Sequence, residues 1–226
     1  MTIVAAQSVR AVLVVRALGA PHPAGGVSGR RRGQNRPVPV TVPVPVPLVL
    51  DPVDPGWLSV DLASDEQSWA RGAIAARRRR WPGGPRLGRR RPHVRALQAV
   101  HRQACSAGAA QSWVLWRGWG QAAGGVLVVG DDRPPGTRLA HLAAELGALP
   151  GQLRPPQTSP VDVDGQGGIR VVRVTEQALA QTFVVPVPGS GTFAVLTSTW
   201  TGASIEQAPA AMHDVWALVT AGRWQV

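Results

Sequence analysis

Apolar and polar residues alternate over 57–62, which places Leu58, Val60 and Leu62 on one face of an expected strand. Ser64 then stands at an N-cap position with Gln67 three residues on, and the spacing predicts a helix through Trp69 and Ile74 that ends at Trp81-Pro-Gly-Gly-Pro85. Val94, Leu97, Val100 and Ala104 recur at helical spacing over 93–107, and Gly108 stops that second helix. Short apolar runs at 112–116 and 125–129 predict two strands. Leu139, Leu142, Leu146 and Leu149 form one helical stripe, closed by Gly147 and Pro150. After a Pro-rich loop over 155–160, residues 161–164 and 169–174 predict a hairpin turning over 165–168. A second hairpin joins 183–187 to 192–200 through Pro188, Gly189, Ser190 and Gly191. A terminal helix aligns Met212, Val215, Trp216 and Val219.

Strands that pair with their sequence neighbours, interleaved with amphipathic helices, predict an α+β domain: an antiparallel sheet with a C-terminal β-meander, flanked by helices. Pro186 and Pro188 lack donors on the same side of their strand, so that position must be an edge or a frayed end. The expected core contains Leu58, Val60, Val126, Val128, Leu142, Val171, Val195, Leu196, Trp216 and Val219. The folded domain is expected to span 51–226. Upstream, residues 21–36 show no periodicity, and 37–47 alternate proline with other residues, which favours polyproline II and excludes a sheet interior. Residues 1–50 are therefore expected to be a disordered Arg- and Pro-rich extension.

Composition changes this picture in two places. All 24 basic residues are Arg, and the chain has nine Trp but no Tyr. That bias points to a GC-rich genome and weakens a reading of Arg content as selection for nucleic acid. The net charge of +11 is uneven: residues 1–50 carry six Arg and no acid, 51–105 eleven Arg and five acids, and 106–226 seven Arg and eight acids. The basic character belongs to the first half. One cysteine, Cys105, excludes an intrachain disulfide and a multi-cysteine metal site. Arg10 and Arg16 interrupt the apolar start, so no cleaved signal is expected, and no run is long enough for a membrane helix. The cytoplasm is the expected compartment.

Candidate chemistry is sparse. His101 and Cys105 lie four apart on a helix, but a metal needs further ligands, and a helix face with a small buried thiol is the simpler account. His141 with Glu145, and His213 beside Asp214, read as solvated helix faces without a nucleophile. Gly189-Ser190-Gly191 lacks the spacing of a nucleophile elbow, and Gly165-Gln-Gly-Gly168 precedes no helix that could hold a phosphate. Asp131-Asp132 ends a strand where carboxylates can hold Mg²⁺, yet Arg133-Pro-Pro-Gly follows as an ordinary turn. No catalytic residue, metal or cofactor is expected.

Ten Arg fall between Arg71 and Arg95, in an expected loop over about 76–92. Arg77, Arg78, Arg79, Arg80, Arg89, Arg90 and Arg91 are the candidate polyanion-binding residues, with Trp81 placed to stack on a base. They form no known nucleic-acid-binding motif, so binding there is expected to be weak and non-specific.

Three segments carry a resemblance: Trp57-Leu-Ser-Val-Asp61-Leu62, then Val185-Pro-Val-Pro-Gly189 with Leu196-Thr-Ser-Thr199, and finally His213-Asp214-Val215-Trp216. With the element order, they make residues 55–226 resemble the PsbP/Mog1-type α/β/α sandwich, and more narrowly uncharacterised actinobacterial proteins of similar length. The resemblance implies a binding or assembly module and carries over no catalytic residue. The expected function is accordingly a non-catalytic protein-interaction module of unknown partner, with polyanion binding through Arg77 to Arg95 as the alternative.

Overall fold

The computed structural model describes residues 45–52, 54–80, 91–117, 124–132, 137–147, 152–201, 205–206 and 208–225. Among the described residues nine strands and four helices follow one another, beginning with β1 (Leu48–Val49), β2 (Trp57–Ser59), α1 (Glu66–Arg80), α2 (Arg91–Ser106), β3 (Gln111–Leu115), β4 (Gly124–Asp132) and α3 (Leu139–Gly147). The second half comprises β5 (Gln157–Val163), β6 (Gln166–Val174), β7 (Ala178–Pro186), β8 (Thr192–Thr201), α4 (Ala208–Thr220) and β9 (Arg223–Trp224). Seven strands form one antiparallel sheet in the order β2-β3-β4-β8-β7-β6-β5, and β1 pairs with β9 in a separate ribbon. The class is α+β, with the last four strands of the sheet forming the expected meander.

Side-chain alternation divides the helices between the two faces. Val114 and Trp116 of the β3 segment pack with Trp69, Ile74 and Leu97 of α1 and α2. On the same face, Leu127 meets Ala104, while Val184 and Phe193 meet Leu142 of α3. The opposite face presents Leu115, Val126, Val128, Phe183, Val185, Leu196 and Trp200 to Ala211, Val215 and Val219 of α4. The layers are therefore α1–α3, sheet, and α4 with the β1–β9 ribbon.

The folded part begins earlier than Asp51. Val46, Leu48 and Leu50 are buried in the α4-side core, and the Gln225 N–H donates to the Pro47 carbonyl at 2.7 Å. Pro47 thus stands at the start of a short strand, where its missing donor costs nothing. The remainder of the expected extension, 1–44, lies outside the described residues.

Three local expectations also move. The α1 cap is Asp65 rather than Ser64: its Oδ1 accepts from the Gln67 and Ser68 N–H groups, both at 3.0 Å. The first meander hairpin turns at Asp164 and Gly165, with φ of 52° and 79°, the pairing expected of a two-residue hairpin loop. Gly167 and Gly168 belong to β6, and a Cβ on Gly168 would sit 2.6 Å from the Val184 carbonyl. Gly108, at φ 62°, closes α2 as expected: Ala109 N–H reaches Ala104 O, and Gly108 N–H reaches Cys105 O. Of the expected core, Val60, Val126, Val128, Leu142, Val171, Leu196 and Val219 are buried, whereas Leu58, Val195 and Trp216 are half-buried. Pro186 ends β7 inside the sheet, so that strand frays there and is not an edge.

Candidate interaction surface

The described part of the arginine cluster is helical, not a loop. α1 runs through Arg77–Arg80, α2 opens at Arg91, and only 81–90 separates them. Trp81, Arg89 and Arg90 lie outside the described residues. Cations in the last turn of α1 sit at the negative end of its dipole, one reason four consecutive Arg can end a helix.

Arg77 does not face solvent. It continues the buried stripe of Trp69, Ala70 and Ile74, is 1% exposed, and lays its guanidinium carbon 4.8 Å from the centre of the Trp116 ring. His93 stacks on the same indole at 5.4 Å. Burial pushes the Arg77 guanidinium down to about 10, neighbouring Arg80 pushes the same way, and Asp54 opposes them. Burial lowers His93 as well. Arg77 is a core residue, so it leaves the candidate anion-contacting set.

Arg78, Arg79 and Arg80 are exposed around the last turn of α1, and Arg71 and Arg95 are exposed further along the helix pair. The acids of the pair lie at one end, where Arg71 and Arg102 stand with them. Asp61, Asp65 and Glu66 gather where α1 begins, and there Glu66 takes both carboxylate oxygens to Arg102 NH1 of α2, each at 2.9 Å. At the other end the charged described residues of the two helices are all Arg, with Asp54 of the turn before β2 close enough to act on Arg77 and Arg80.

A second exposed arginine is already engaged. Arg117, just beyond β3, donates from Nε to Asp54 at 2.8 Å and from two nitrogens to Asp214 of α4 at 2.8 and 2.9 Å. The Asp54 carboxylate also accepts the Gly56 N–H at 2.6 Å. Burial alone would raise the Asp54 carboxyl, but the Gly56 N–H and Arg117 outweigh it and hold it below the ordinary carboxylate range. Its partners hold Arg117 charged, with the bonds to Asp214 and Asp54 outweighing desolvation. This clamp ties the turn before β2 to β3 and α4.

The remaining candidates separate. His141 and Glu145 are both exposed on α3, His213 is exposed on α4 beside the clamped Asp214, and Asp131 and Asp132 end β4. Ser190 closes its turn by donating to the Val187 carbonyl at 3.2 Å. Among the described residues no group of three His, Cys, Asp or Glu could hold a metal, and no helix is long and apolar enough to cross a membrane. His101 and Cys105 do meet, with Sγ 3.7 Å from Nδ1, but the imidazole is buried and the thiol, expected to be buried, is exposed.

Polar residues that sequence reasoning passed over stabilise the meander. Buried Gln181 accepts from Arg170 Nε and NH2 at 3.1 and 2.9 Å, and Arg170 lies over the Trp216 ring at 5.2 Å. On the other face Arg173 donates to Thr182 at 3.0 Å. The signal was present: Gln181 and Thr182 interrupt an otherwise apolar strand on successive positions, one toward each face.

No family model and no curated protein sequence matches the chain. Among solved structures it is similar to the Saccharomyces cerevisiae Ran-binding protein Mog1p, with 14% identity and a TM-score of 0.35 over 50% of this chain and 78% of that one. A similarity of that size carries no argument about function.

Proposed function

We propose that this chain is a non-catalytic interaction module that docks an acidic protein surface against the basic end of the α1–α2 pair. The observation that carries the reading is charge segregation on a packed element: Arg78, Arg79 and Arg80 are exposed on a helix anchored to the sheet through Trp69, Ile74 and Arg77. Guanidinium groups on such a support lose less freedom on pairing with carboxylates than they would on a loop. The acidic end of the same pair, Asp61, Asp65 and Glu66, favours a protein over an extended polyanion. A duplex laid along α1 would meet carboxylates about 22 Å from the arginines, whereas a protein surface can match both signs and be oriented by them. Cytoplasmic localisation belongs to the same proposal, since an exposed free thiol suits a reducing compartment.

The second reading is polyanion binding through Arg78, Arg79 and Arg80 with Arg89, Arg90 and Arg91, favoured by the density of guanidinium groups alone. Affinity capture from the native host separates the two. The wild-type chain should retain an acidic protein that nuclease treatment does not release, and replacing Arg78, Arg79 and Arg80 together by Gln should abolish retention. Release by nuclease would support the second reading, and retention unchanged in the triple variant would contradict both.

A further inference from the structure

We propose that the outer face of α1 pairs with the same face of a second copy of this chain, the two helices crossing antiparallel at Gly72. Asp65, Ser68, Gly72, Ala75 and Arg79 recur at alternating three- and four-residue spacing and are all exposed. They form one solvent-facing stripe on the side of α1 away from the buried Ala70, Ile74 and Arg77. The stripe is antisymmetric in charge about its middle: Asp65 lies seven residues before Gly72, and Arg79 seven residues after it. A two-fold axis through Gly72 brings each position before it onto the matching position after it in the other copy. Asp65 of either copy then stands against Arg79 of the other. A parallel pairing would set like charges together, so the charges select the antiparallel arrangement. The occupant is a second copy because one face carries both halves of the match.

Gly72 supports the crossing independently of charge. Glycine inside a helix destabilises it relative to alanine, and among the described residues a Cβ on Gly72 would meet nothing within 4 Å. The packing of this chain alone therefore does not call for the missing side chain. A helix crossing there does, because two backbones approach closely only over small residues, and Ser68 and Ala75 flank the crossing. Two features limit the strength of the pair. One helix from each copy buries less than the roughly 1,200 Å² of a small specific interface, so the association is weak and reversible. Arg71, exposed one residue before Gly72, meets its own copy beside the axis, where like charges repel. Arg79 is shared with the acidic partner proposed above, so the two bindings compete, but the pairing does not depend on that partner.

Sedimentation equilibrium on the full chain, from micromolar to millimolar concentration, tests the pairing. The wild type should form a dimer that dissociates on dilution. Arg71→Gln and Arg79→Gln each remove one positive charge from α1, so a general repulsion between copies of net charge +11 would respond to both alike. The pairing instead predicts a tighter dimer for Arg71→Gln and a weaker one for Arg79→Gln. Asp65→Asn keeps a capping side chain and should weaken the dimer as Arg79→Gln does. Gly72→Gln, a better helix former with open space around it, should raise Tm and still lose the dimer. Gly72→Cys combined with Cys105→Ser should oxidise to a covalent dimer at least about tenfold faster than the wild type does through its exposed Cys105. A wild type that stays monomeric throughout, equal shifts in Arg71→Gln and Arg79→Gln, or equal oxidation rates would each overturn the proposal. A monomer that still retains an acidic partner through Arg78, Arg79 and Arg80 would overturn the pairing and leave the reading of the basic end standing.

Discussion

At the scale of single residues, neighbours in one arginine run have different physical roles. Arg77 is sealed over Trp116, while Arg79, two positions on, is exposed. Replacing Arg77 by Gln removes a cation–π contact and packing from a closed site, and should cost on the order of 1–3 kcal/mol in urea unfolding. Arg79→Gln should stay within about 0.5 kcal/mol; equal losses would contradict the burial of Arg77. Asp54 supplies the corresponding pH prediction. Its folded carboxyl titrates below the ordinary value near about 3.9, so the folded state binds fewer protons there and gains stability from the charge. That contribution is complete above the unfolded value and is lost as pH falls through the lower, folded one. Asp54→Asn should cost up to about 1 kcal/mol near neutrality, because the partners are partly exposed. The gap from wild type should close on acidification below the unfolded value, and a gap independent of pH would sever Asp54 from the clamp.

At the scale of elements, most of the fold was legible because periodicity reports burial. The stripe of Val94, Leu97, Val100 and Ala104 became α2, and the alternation around Leu58 became β2. What was missed has specific causes. β1 and β9 are two residues each, too short to show a period, and β1 follows a proline ladder that masks it. The Asp164-Gly165 turn was hidden by the two glycines after it, which are in the strand, Gly168 where the Val184 carbonyl approaches too closely for a side chain. Arg77 was unreadable as a core position, since a cation in a helical stripe looks polar unless the indole beneath it is known. The candidate site was only partly legible: the density of arginine was visible, but its division into one buried and three exposed groups needed the helix phase. α3 provides the quantitative check. Leu142, 1% exposed against Val184 and Phe193, should cost on the order of 2–5 kcal/mol when changed to Ala. A loss below about 0.5 kcal/mol would detach α3 from the sheet.

At the scale of the whole molecule, the sheet keeps two different surfaces apart. The α4 side is closed by the β1–β9 ribbon and pinned through Arg117 to Asp54 and Asp214, so those three charges are spent within the fold. The α1–α2 side keeps Arg78, Arg79 and Arg80 exposed at one end, away from Asp61, Asp65 and Glu66 at the other. The central claim is that the basic end is the docking surface. Amide hydrogen exchange on the full chain, with poly-glutamate or a short DNA duplex added at about 0.15 M salt, tests it most directly, because screening at that strength removes weak contacts with exposed charge. The account predicts that poly-glutamate slows exchange in the last turns of α1 and the first turns of α2, that the Arg78, Arg79 and Arg80 to Gln variant loses this protection, and that the duplex gives little. Protection centred on α4 or the sheet, or stronger protection by the duplex than by poly-glutamate, would contradict it.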